Sequence, residues 1–142
     1  AGNIHAGFLP VILFLLAGVM AFATGTSWGT FGIMLPIAAA MAVKVEPALI
    51  IPCMSAVMAG AVFGDHCSPI SDTTILSSTG AHCNHIDHVT SQFPYALTVA
   101  ASAAIGYLIL GMTGSAPLGF VVTGIVMVVL IFILKDKNKA TA

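Results

Sequence analysis

Gly64–Gly80 reads GDHCSPISDTTILSSTG, and its position decides the fold. Apolar segments flank it, 47–63 before and 94–111 after, yet this run carries Asp65, Asp72 and a dense set of hydroxyl side chains. Pro69 falls within it and cannot sustain a regular helix, so the run reads as a break inside an apolar helix. Ionisable groups at membrane depth are costly and by default point to function. A second polar run, TGTSWGT at 24–30, stands between apolar segments 6–23 and 31–43. Its two glycines favour a break, and its hydroxyls can satisfy the freed backbone.

Composition sets the solvent. Of 142 residues, 58% are hydrophobic and 6% charged, against about 25% charged in a soluble domain. No water-facing surface can be built from so few charges, so this is a membrane protein. A net charge of −1 without a basic patch gives no reason to expect nucleic acid as a partner. The chain begins with Ala and enters an apolar run within a few residues, which reads as the C-terminal part of a longer protein. AFA at 21–23 mimics a signal cleavage site, but residues 1–10 hold no Lys or Arg, the flank a signal needs. Cys53, Cys67 and Cys83 form no CxxC pair, and an odd count suggests no disulfide framework. Cys53 is expected to pack as a small residue between helices.

The expected fold is all-α and polytopic transmembrane. Residues 6–23 suffice for one crossing, which takes about 20 apolar residues. Residues 31–43 reach only about 20 Å, so 6–43 is expected to form a re-entrant hairpin with TGTSWGT at its tip. A single bent helix is the alternative. Residues 47–80 form a broken helix, opened by Pro47 and kinked by Pro52, in which Gly60 and Gly64 permit close helix contact. His82–Gln92 reads as an interfacial loop. Pro94 opens a helix over 94–111, with Ala96, Ala100 and Ala104 as a packing face, and after a turn at 111–115 Pro117 opens the last helix, 117–134. Residues 1–134 are thus one transmembrane unit, and 135–142, KDKNKATA, a disordered tail. Three of the four lysines lie in that tail, so the positive-inside rule puts it in the cytoplasm, with the 111–115 turn and Lys44 outside.

TGTSWGTFGIMLPIA (24–38), GDHCSPISDTTILSSTGA (64–81) and HIDHVTSQFPYA (85–96) resemble the C-terminal half of the NhaC-type Na+/H+ antiporter family, over roughly residues 6–111. That family includes malate/lactate-coupled sodium antiporters. It resembles the ion-transporter superfamily, whose members have two inverted repeats, each with a re-entrant hairpin and a broken helix whose polar tips meet at the substrate site. The resemblance makes TGTSWGT the hairpin tip and GDHCSPISDTT the break, and this chain one repeat of an inverted-repeat transporter. It implies a multi-pass protein of the bacterial cytoplasmic membrane, exchanging Na+ for H+ or coupling Na+ to an organic acid. Its partners are then the bilayer, the two ions, the N-terminal repeat and a second copy as homodimer. No cofactor is implied beyond the transported ions.

Na+ takes oxygen ligands, which broken helices supply as freed carbonyls. Thr24, Thr26, Ser27, Thr30, Ser68, Ser71, Thr73 and Thr74 offer further neutral oxygens. One carboxylate that holds either Na+ or H+, but not both, is the minimal antiporter. Asp72 is the first choice as the Na+ ligand; its other role is N-cap of a helix starting near Thr73. Asp65 is the second, as proton carrier, partner of a cation from the other repeat, or a carboxylate paired to His66 or a backbone NH. His66 is a proton relay or a satisfied polar residue. Trp28 shapes the site, rests at an interface or serves in aromatic packing, and His85, Asp87 and His88 belong to a solvated loop. A competing expectation is a non-transporting membrane module with a zinc site drawn from His82, Cys83, His85, Asp87 and His88, joined by His66 and Cys67; no established ligand spacing supports it. Neither GxSxG nor another nucleophile context is present, so no enzyme is expected.

Overall fold

The computed structural model describes residues 5–140, with side chains described through Leu134. All regular elements among the described residues are helical: α1 Leu9–Thr24, α2 Ser27–Val45, α3 Ile50–Cys67, α4 Asp72–Gly80, α5 His85–Thr113 and α6 Ala116–Ala140. Short 3-10 turns, Ala6–Phe8 and Pro47–Leu49, lead into α1 and α3. Five segments are long and apolar enough to cross a membrane: Ala6–Thr24, Ser27–Val45, Pro47–Cys67, His85–Thr113 and Ala116–Leu134. This is a multi-pass helical membrane protein.

Local chemistry sets each boundary. Gly25, at φ +68°, ends α1 in the left-handed conformation that glycine adopts without strain, and its N–H donates to the Ala21 carbonyl. Thr26 then caps α2 by accepting from the Gly29 N–H at 3.3 Å. The turn between the helices is therefore only Gly25–Thr26. Ser71 caps α4, and Asn84 caps α5 by accepting from Ile86 and Asp87. Gly114, again at φ +68°, ends α5.

Helices α1 and α3 run parallel and touch through backbone. A Cβ on Gly64 would collide with the Gly18 carbonyl and stand 2.8 Å from the Phe22 nitrogen, and one on Gly60 would strike the Phe14 carbonyl. The GxxxG spacing in α3 thus lets the two backbones approach. Helix α2 runs back along α3, and Met34, Ala38 and Ala42 close a core with Leu9, Leu13, Ala17, Ala21, Leu49, Cys53, Val57 and Ala61. Cys53 is fully buried there, as expected of a small packing residue.

Helix α5 runs antiparallel to α1. Phe22 packs on Phe93 at 6.4 Å between ring centroids and Phe14 on Tyr107 at 5.5 Å, while Gly7 meets the Gly111 backbone. The 111–115 turn and the α2–α3 turn consequently share one end of the bundle, and the α1–α2 turn lies toward the other. Helix α6 packs on α5, where Gly106 faces Gly119 and Thr123.

Several boundaries differ from the sequence expectation. The second hairpin arm is not the short 31–43 piece but the 19 residues Ser27–Val45, about 28 Å long. The Thr26 cap and the Thr30 hydroxyl, which donates to the Thr26 carbonyl at 2.9 Å, carry the helix through Trp28 and Gly29. Pro52 is no interior kink: it lies in the first turn of α3, where a proline leaves no intrahelical bond unmade. The 82–92 loop shrinks to residues 81–84, because Asn84 starts α5 at His85 and Pro94 falls inside that helix. At the far end α6 continues to Ala140 rather than stopping at 134, since no Gly or Pro interrupts 135–140. Residues 141–142 of the expected tail lie outside the described residues.

Gly64→Ala should therefore destabilise the fold by about 1–3 kcal/mol, the usual range for overpacking, seen as a lower melting temperature in detergent. Gly32→Ala, where a Cβ meets nothing within 4 Å, should leave stability equal or higher.

Candidate ion site at two helix breaks

The two polar runs meet. Gly25 of the α1–α2 turn abuts Ile70 of the α3–α4 break so closely that a Cβ there would lie 2.9 Å from the Ile70 carbonyl. Ser68, in the break, donates through Oγ to the Phe22 carbonyl in the last turn of α1 at 2.8 Å.

Asp65 lies between them, half-buried in the last turn of α3. Ser27 Oγ, from the first turn of α2, donates to its Oδ2 at 2.9 Å. Ser71 Oγ, the cap of α4, donates to its Oδ1 at 2.6 Å. Ser71 also accepts from the Thr73 N–H at 3.3 Å, and its oxygen lies 2.8 Å from Thr73 Oγ1. Because the Ser71 proton points at the carboxylate, Thr73 donates in that last contact. Ser27 and Ser71 are buried to 9% and 1% exposure, which puts two desolvated donors on one carboxylate. The N-termini of α2 and α4 both point here, and their partial positive charge favours the negative Asp65.

The other hydroxyls singled out in the sequence serve the backbone instead. Thr24 donates to Met20 O at 2.9 Å, Thr26 caps α2, Thr30 donates to Thr26 O, and Thr74 donates to His66 O at 3.4 Å. Asp72 opens α4 as an exposed carboxylate of the first turn. It is not the N-cap, because the helix starts one residue earlier than Thr73 and Ser71 takes the cap. Asp65 is paired to the two serines, not to His66 or a backbone N–H. The His66 side chain is exposed and faces an open, largely apolar cavity of about 780 Å³ between α3 and α5. Trp28 is 82% exposed and meets Phe31 edge-on at 5.8 Å.

Several carbonyls at the breaks are already engaged. Asp65 O accepts from Ser68 N, His66 O from Gln92 Nε2, Pro69 O pairs with His85 Nε2, and Phe22 O accepts from Ser68. The oxygens that hydrogen-bond to Asp65 are the hydroxyls of Ser27 and Ser71. In sequence, His85 reads only as a loop residue or a zinc candidate and Gln92 carries no signal, because 82–92 lacks apolar periodicity; on a helix the two stand seven residues apart, on one face. The zinc expectation fails on geometry: among the described residues no three His, Cys, Asp or Glu side chains come together to hold a metal. Helix α5 begins in the middle of that set, and both nitrogens of His85 are engaged elsewhere, with Ser78 and Pro69.

Relatives agree with a transporter. The chain is 66% identical over 137 residues to an uncharacterised protein of Haemophilus influenzae, covering 96% of this chain and 26% of that one. It is 31% identical over 111 residues to a malate-2H+/Na+-lactate antiporter of Bacillus subtilis (76% and 23% covered) and 37% identical over 113 to an arginine/ornithine antiporter of Halobacterium salinarum (75% and 22% covered). It spans about a quarter of the length of these curated relatives. No solved structure matches it. The family model that matches covers residues 1–112, both breaks and the Asp65 cluster included, and by that match the chain belongs to the Na+/H+ antiporter family.

Proposed function

We propose that this chain is one repeat of a secondary transporter that exchanges Na+ for H+ across the bacterial cytoplasmic membrane, with Asp65 as the carboxylate that holds the two in turn. One observation carries this: hydroxyls from two separate helix breaks converge on the two oxygens of a single carboxylate. Asp65 thereby takes the place that the sequence reading gave to Asp72, which stands at the exposed start of α4 as a candidate for the ion's approach.

The chemistry follows from the hydroxyl, which both donates and accepts. With the site empty of cation, Ser27 and Ser71 donate to the ionised carboxylate. When Na+ enters, both hydroxyls rotate, present lone pairs to the ion, and the carboxylate supplies the charge. A proton on Asp65 removes that charge, and Na+ leaves. Neither state needs a second acid from this chain.

The inverted-repeat arrangement belongs to the same proposal. Phe22 lies level with Phe93 and the α1–α2 turn begins three residues beyond it, so α5 overruns the turn by about 7 Å. This overrun, together with α4, supports a turn sheltered below the membrane surface. The second repeat completes the site from the other side, and a homodimer is the proposed assembly. Helix α6 returns to the end of the bundle that carries the site, so the lysine-rich end marks that side as cytoplasmic.

A second reading, Na+-coupled exchange of an organic acid, rests on the likeness to the malate-2H+/Na+-lactate antiporter. Against it stands the absence of Arg from the chain and of Lys from both polar runs. A carboxylate substrate would draw its counter-charge from beyond this chain or from the N-termini of α2 and α4.

Three measurements test this. In sealed vesicles holding a pH gradient and the full-length protein carrying this chain, NaCl should collapse the gradient and choline chloride should not. A response to malate or lactate salts alone would move the assignment to organic-acid exchange. Asp65→Asn should abolish the Na+ response, and Ser27→Ala or Ser71→Ala should raise the half-saturating Na+ concentration about tenfold or more, the worth of a hydrogen bond to a charged group. Exchange retained in Asp65→Asn but lost in Asp72→Asn would overturn the choice of carboxylate. Finally, a membrane-impermeant maleimide should label exposed Cys83 in inside-out vesicles and not in right-side-out ones, while buried Cys53 and Cys67 stay unlabelled; the opposite sidedness would invert the orientation.

A further inference from the structure

We infer that His85 and Gln92 are positioning residues: from one face of α5 they hold the carbonyls of the α3–α4 break, and so set where Ser71 meets Asp65. The inference rests on Asp65 being the ion-binding carboxylate. Neither residue touches Asp65 itself.

The break is weakly held from within. Ser68 N donates to Asp65 O at 3.1 Å, and Ser71 N reaches Ser68 O only at 3.4 Å. Unmet backbone groups in such a segment must find partners outside it. Helix α5 supplies two. His85 Nε2 lies 2.7 Å from the Pro69 carbonyl, and since a carbonyl only accepts, Nε2 carries the hydrogen. The other ring nitrogen lies 3.1 Å from Ser78 Oγ, so one imidazole ties the break to α4 beyond it. Gln92 Nε2 donates to the His66 carbonyl at 2.5 Å, and the same argument fixes which end of its amide faces the break.

Helix α5 therefore holds both sides of the break, His66 at the end of α3 and Pro69 two residues before Ser71. Rotation about the Ile70 backbone would swing Ser71 Oγ away from the carboxylate oxygen it now meets at 2.6 Å. Each of the two carbonyls thereby has one of its lone pairs committed to α5.

A substitution series separates this from a general loss of packing. Gln places its amide nitrogen where histidine has Nε2 and can still donate to Pro69 O; Ala cannot. Two readouts apply to the full-length protein, one of them independent of transport. By amide hydrogen exchange in lipid nanodiscs, residues 68–73 should exchange about tenfold faster in His85→Ala, the effect of one lost hydrogen bond, and at the original rate in His85→Gln. In vesicles, His85→Ala and Gln92→Ala should each raise the half-saturating Na+ concentration about tenfold with the maximal rate within a factor of about two, and His85→Gln should restore it. Unaltered exchange in His85→Ala, failure of His85→Gln to restore it, or an unchanged Na+ requirement in both alanine variants would overturn the inference. If the unsubstituted protein itself ignored Na+, the antiport assignment would fall, and with it the Na+-positioning role. The hydrogen-exchange series would then still decide whether α5 holds the break.

Discussion

The contact on which the rest depends is backbone against backbone, α1 on α3 at Gly18, Gly60 and Gly64. Helices that bury ordinary side chains between them stand 8–10 Å apart, and glycine removes the side chains that impose that spacing. Here the close approach is placed where both helices are about to end. With α1 and α3 parallel, Thr24 and Cys67 finish within about one turn of each other, and the two breaks that follow must lie side by side. Ser68 can then reach Phe22 O, Gly25 can seat against Ile70, and Ser27 can cross to Asp65. A wider helix pair would leave two separate polar interruptions, each satisfying its own backbone.

Convergence also solves an electrostatic difficulty. Asp65 stands in the last turn of α3, where unpaired carbonyls make negative charge unfavourable. The N-termini of α2 and α4 bring partial positive charge to the same place, and their first-turn or capping serines turn it into directed hydrogen bonds. The carbonyls of α3 that would otherwise oppose the carboxylate are covered from elsewhere, His66 O by Gln92 and Asp65 O by the Ser68 amide. Among the described residues the partners of Asp65 are neutral groups alone, which under the proposed function leaves the charge able to respond to a mobile cation instead of a fixed one.

The sequence was most legible where chain geometry is local. Polar runs inside apolar segments announced both breaks, and Pro69 marked the second to within the four residues that are not helical. Helix type and the number of apolar segments followed from length and composition. Less legible were starts set by a single capping side chain: Thr26 and Asn84 each began a helix several residues ahead of where apolarity alone put it. The misplaced start of α5 had the larger consequence, since it hid a helical face that carries His85 and Gln92. The choice between Asp65 and Asp72 could not be made in sequence either. Both stand in hydroxyl-rich surroundings, and only the packing of α1 on α3 determines which one the other break reaches.

Under the proposed exchange, the choice of serine and threonine rather than charged partners around such a carboxylate follows from what the site would have to do. A lysine or arginine would pair with Asp65 permanently and would have to be displaced, with its desolvation, each time a cation entered. A hydroxyl changes from donor to acceptor by rotation about one bond, without moving the backbone that positions it. Ser27 and Ser71 are fixed by the start of α2 and the cap of α4, so their oxygens stay in place while their hydrogens turn. Rigidity of the breaks and freedom of the hydroxyls are therefore complementary requirements. The first is met by glycine contacts and by donors from α5, and the second by keeping the carboxylate's partners uncharged.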